Sequence, residues 1–112
     1  MDLKKVFVAV IFILAGIVTT SLFWKQPIFL SCLLPVLAFL KHLCAPIKKE
    51  LLWFFLTGIL GTATESLVMF LGNNPWSYAE PFFLNFPLWL PFLWGLAGTI
   101  FVTLREGILK RQ

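Results

Sequence analysis

From residue 6 to residue 24 the chain runs about 19 residues without one charged side chain, the length a helix needs to cross a hydrocarbon core of roughly 30 Å. Such a run cannot cover itself in water and is solvated directly by lipid. Lys4 and Lys5 precede it, as they would in a signal peptide. The run nevertheless exceeds the roughly 7–15 apolar residues of a signal core, so it reads as a first transmembrane helix. Three more apolar stretches follow, at residues 27–44, 51–72 and 87–104, and the expected fold is an all-α, four-helix transmembrane bundle occupying residues 1–112 as one membrane domain.

The second stretch reads as the weakest span. Pro27 suits a first helical turn, where its missing N–H would be unpaired anyway. Pro35 falls mid-helix and should kink it. The stretch meets Lys41 and His42 before its end, so it reaches the headgroups by letting the Lys41 side chain snorkel. Asn73, Asn74 and Pro75 break the chain after the third helix, and an aromatic segment with Trp76, Tyr78 and Glu80 suits the membrane–water boundary. The fourth helix is expected to end at Arg105.

Composition agrees with these spans. Hydrophobic residues make up 60% of the chain and charged ones 12%, about half the roughly 25% of a soluble domain. The net charge of +4 does not mark a nucleic-acid binder, because the basic residues cluster at the ends of apolar runs and are not interleaved with aromatics. Eight of the nine, all but Lys25, fall on one side if both termini are cytoplasmic, and this positive-inside bias sets the expected orientation in a cytoplasmic (inner) membrane. Cys32 and Cys44 would be about 18 Å apart along one helix, beyond disulfide reach. There is no CxxC pair, and His42 near Cys44 lacks a third ligand, so no metal or other cofactor is expected.

Glu65 stands inside the otherwise apolar third helix. An ionisable group at that depth costs roughly 2.5–3.5 kcal/mol on insertion scales and is a functional-site hypothesis by default. No cation falls at matching depth on another helix. Thr62 and Ser66 flank it, and Gly58 and Gly61 lie one or two turns earlier, so the same face could equally serve close helix packing, with the carboxyl as polar glue. Proton or cation coupling, catalysis and recognition of a polar ligand group are the functional alternatives.

The stretch Pro87-Leu88-Trp89-Leu90-Pro91-Phe92-Leu93-Trp94-Gly95 is the second feature. With Pro87 in the helix, Pro91 could not donate to its carbonyl, leaving a free acceptor in the outer leaflet. Counting inward puts Pro91 to Trp94 near the depth of Glu65, so the carboxyl could donate to this region or accept from the Trp94 indole. Trp89 reads as an interfacial anchor, and Gly95, Gly98 and Thr99 form a small-residue patch facing that of the third helix. The candidate site is therefore Glu65, Thr62, Ser66, Trp76, Tyr78, Trp89 and Trp94.

From Glu65 onward the order Glu65, Gly72, Trp76-Ser77-Tyr78, Phe86-Pro87-Leu88 and Pro91…Trp94 resembles small bacterial inner-membrane protein families of unassigned activity. More distantly, residues 61–98 resemble the carotenoid hydratase-type membrane family, where a membrane glutamate, a glycine–aromatic loop and a Pro-Leu segment follow in similar order. The chain has fewer helices than those enzymes and no second acid at depth, so catalysis is not carried over. The layout of four helices and one membrane glutamate also resembles small dual-topology exporters, although there the glutamate is on the first helix.

The expected protein is a non-enzymatic interaction or accessory subunit, or a binder of an apolar ligand such as a lipid or isoprenoid. A proton-coupled small transporter using Glu65 is the second reading, and a lipid- or isoprenoid-modifying enzyme with Glu65 as acid or base the third. Expected partners are membrane lipids and further copies of the chain or a larger membrane complex, with no nucleic acid.

Overall fold

The computed structural model describes residues 1–72 and 86–109, which form four helices: α1 (Leu3–Phe23), α2 (Pro27–Cys44), α3 (Glu50–Leu71) and α4 (Leu90–Ile108). Trp76, Tyr78 and Glu80 lie outside the described residues. By length and composition α1, α2 and α3 are apolar enough to cross a membrane. Their outward faces carry Phe7, Leu14 and Val18, then Ile28 and Phe39, then Ile59 and Phe70, all exposed. A surface of that kind is matched by lipid and not by water.

The expectation that α2 is the weakest span is overturned. It runs from Pro27 to Cys44 with Pro35 inside it, and it meets the length and composition of a span. The helix that falls short on composition is α4, which spends its positions on Gly95, Gly98, Thr99, Thr103, Arg105, Glu106 and Gly107. It does so because it is the packing centre. Helices α1, α2 and α3 all pack on α4, and α4 buries eight of its residues. Small residues let three neighbours approach one axis, and in lipid such close approach is what holds helices together.

Each neighbour presents a stripe at helical spacing. From α2 come Leu30, Leu34, Ala38 and Lys41, and from α3 come Gly58, Thr62 and Met69. The α3–α4 pair is antiparallel and very close. A Cβ at Gly58 would stand 2.7 Å from the Pro91 carbonyl oxygen, and one at Gly95 would stand 2.8 Å from that of Phe54. The α1–α4 pair is antiparallel too, and is pinned at one end. Asp2 caps α1 by accepting from the amides of Lys4 and Lys5, while its own N–H donates to the Gly107 carbonyl at 2.7 Å. Beside it the Lys5 ammonium meets Glu106 at 3.0 Å.

The fourth helix is shifted from its expected bounds. It starts at Leu90, so Pro91 sits in the first turn, where a missing N–H costs nothing. The Pro87 carbonyl accepts from the Leu90 N–H at 3.1 Å, and no acceptor is freed there. At the other end the helix continues past Arg105 to Ile108, because Glu106 and Gly107 are engaged by the start of α1.

Candidate functional site

Glu65 lies one turn after Thr62 on the α3 face that meets α4. The indole Nε1–H of Trp94 donates to its Oε2. Gly61 makes this possible, since a Cβ at Gly61 would collide with the Trp94 indole ring. The glycine therefore cradles the ring that holds the carboxylate. Thr62 is buried, and its hydroxyl, like that of Ser66, has no hydrogen-bond partner among the described residues. Trp89, expected as an interfacial anchor, is instead buried, only 8% exposed, within the apolar core just before α4.

This constellation opens onto space. A cavity of about 290 Å³ is lined by Glu65, Trp89, Leu90, Trp94 and the α4 residues Leu93, Ala97 and Phe101. A second cavity of about 390 Å³ lies between α1 and α4, walled by Phe12, Gly16, Ile17 and Thr20, and it shares Leu93, Ala97 and Phe101 with the first. Residues 93, 97 and 101 are one helical face. The two cavities thus adjoin the same α4 face, one between it and α1, the other beside Glu65 and Trp94. The Thr20 hydroxyl is a polar group on the wall of the cavity beside α1, buried and without a partner among the described residues.

A polar cluster that sequence reasoning missed lies at the opposite end of the bundle. Lys41 does not snorkel. It is fully buried on the face of α2 that meets α4, and its ammonium donates to Thr103 Oγ1 at 2.7 Å and to the Ala45 carbonyl at 3.1 Å. Glu50 Oε2 approaches the same ammonium at 2.6 Å, an ion-pair distance although off the hydrogen-bond direction. Glu50 Oε1 accepts from the Ile47 amide at 3.2 Å and contacts His42 Nδ1 at 2.7 Å. A carboxylate paired with a lysine can only accept, so His42 Nδ1 carries the proton in this contact and Nε2 is left for another partner. The available signal was the brevity of the α2–α3 loop, which brings Lys41, His42 and Glu50 to adjacent helix ends.

Glu65 and Trp94 are thus brought together with Trp89 on one groove, with Thr62 and Ser66 adjoining in sequence. No protein-family model, curated protein or solved structure matches the chain, and the functional reading rests on this geometry.

Proposed function

We propose that this is a multi-pass protein of the cytoplasmic membrane, with both termini inside, that binds the apolar chain of a membrane ligand, a lipid or isoprenoid, in the α1/α3/α4 groove. The observation that carries the reading is the pair of apolar cavities that share Leu93, Ala97 and Phe101, one of them with Glu65 and Trp94 in its lining. That is the pattern of ligand sites generally, a mostly apolar cleft with a few placed polar groups. The apolar cavities would take the chain, and the carboxylate would take a hydroxyl or other donor at its end. Ligand chains arrive laterally from the bilayer, so no aqueous entrance is required.

The experiment is photo-crosslinking of the full chain in vesicles containing an isoprenoid alcohol with a diazirine in its chain. Adducts on Leu93, Ala97 or Phe101 that fall when Glu65 is changed to Leu, but not when it is changed to Gln, support the reading. Adducts spread evenly over the exposed faces of α1, α2 and α3 would sink it. A proton-coupled transporter is the second reading, favoured by the Thr62 and Ser66 hydroxyls flanking Glu65. Glu65→Gln separates the two, because an amide still accepts a hydrogen bond but carries no titrating proton.

A further inference from the structure

The two sides of α4 are not equivalent. Opposite the Glu65 groove lies a third cavity, of about 460 Å³, between α2 and α3 near their connecting loop. Ala38, Ile47 and Phe54 give it an apolar inner side with the buried Thr99 of α4, Phe39 and Leu51 are exposed at its lipid-facing edge, and His42, Lys49 and Glu50 make its mouth polar. We propose that this cavity is a site for an anionic glycerophospholipid of the adjacent leaflet, with its phosphate at His42 and Lys49 and an acyl chain along Ala38, Phe39 and Phe54.

Charge decides the class of occupant. The acid at the mouth is Glu50, and both of its oxygens are already engaged, one by Lys41 and the other by His42 and the Ile47 amide. The buried Lys41–Glu50 pair is neutral, so the mouth takes its sign from Lys49, with Lys48 next to it in the loop. The geometry at His42 adds direction. With Nδ1 held by Glu50, the other ring nitrogen, Nε2, is turned away from the ion pair and left for a further partner. The His42 side chain is 43% exposed, so that nitrogen is reachable. Lys49, which lines the cavity, stands in the left-handed region at φ 56° just before α3. A basic pocket between transmembrane helices on the cytoplasmic side is a recurrent way of holding an anionic headgroup. The cavity lies in the roughly 300–1,000 Å³ range of small-molecule sites.

This inference does not depend on the Glu65 groove, which lies on other residues. Its test is native mass spectrometry of the full chain released from nanodiscs of phosphatidylglycerol and phosphatidylcholine in equal amounts. Phosphatidylglycerol should be retained preferentially. Lys49→Asn, which keeps a residue tolerant of the left-handed region, should lower that preference about fivefold, the effect of one basic residue near a membrane surface. His42→Gln should act in the same direction, Lys49→Arg should restore the wild-type preference, and Glu65→Gln should leave it unchanged. Equal retention of the two lipids by the wild type overturns the proposal. So does displacement of the bound lipid by millimolar inorganic phosphate, which would reassign the mouth to a soluble anion. In a parallel arm, a phosphatidylglycerol with a diazirine in its acyl chain should mark Ala38, Phe39 or Phe54, and adducts elsewhere would contradict the proposed seat.

Discussion

The Nζ of Lys41 stands 2.6 Å from Oε2 of Glu50, so a lysine inside α2 is tied to the first residue of α3. The lysine also reaches Thr103 of α4, and one ammonium therefore joins three helices at one end of the bundle. Removing one partner of a buried pair strands the other. Lys41→Met is expected to cost about 3–5 kcal/mol, and Lys41→Met with Glu50→Leu to recover most of that loss. Reversible unfolding in mixed micelles checks both, and a double variant no better than the single would show that the lysine acts by other means.

The α3–α4 contact should be intolerant of a single methyl group. Gly58→Ala places a Cβ against the Pro91 backbone, which cannot move aside without shifting the helix, at a cost of about 1–3 kcal/mol. Gly16→Ala is the control. Its Cβ meets only the end of the Leu96 side chain, at 3.4 Å, and the variant should unfold with the wild type.

Trp94 and Glu65 should be coupled. In a double-mutant cycle of Trp94→Phe and Glu65→Leu, the interaction energy expected for a hydrogen bond between membrane helices is about 1 kcal/mol. Glu65→Gln should keep much of it, since the amide oxygen can accept from the indole. Additive losses would mean that the two side chains touch without stabilising one another.

The proposed orientation is open to labelling. In a background of Cys32→Ser and Cys44→Ser, a cysteine replacing Lys25 should react with a membrane-impermeant maleimide added outside intact cells. One replacing Lys48 should react only after the membrane is opened. The reverse pattern would invert the proposed topology, and reaction of both from outside would indicate dual insertion.

How much of this was legible in the sequence varies by element. The bounds of α2 coincide with the expected 27–44, because prolines at 27 and 46 bracket an apolar run. The Glu65–Trp94 meeting follows from counting depth along two antiparallel helices, which needs only the rise per residue. Helix α4 was misjudged at both ends. Its start depended on which of Pro87 and Pro91 lay in the first turn, and its end depended on what α1 offered to Glu106 and Gly107. Lys41 was misread because a lysine near a helix end looks the same whether it reaches for lipid headgroups or for a carboxylate on the next helix. The spacing Leu30, Leu34, Ala38, Lys41 does hint that it shares the inward face. The grooves flanking α4 were invisible, since they arise from the lateral placement of α1, α2 and α3 and not from any one segment.

That every other helix leans on α4 has a consequence for how the molecule comes together. In chain order α4 follows its three neighbours, and the strongest packing of α3 is against α4. During synthesis α1 and α2 can pair as a hairpin, while α3 is made ahead of the helix it packs against most closely. The three helices apolar enough to cross a membrane are thus made first. The arrival of the least apolar helix, carrying glycines, threonines and an acid that its neighbours must receive, converts a loose set of spans into one folded unit. The packing of the four helices is therefore completed only once α4 has been made.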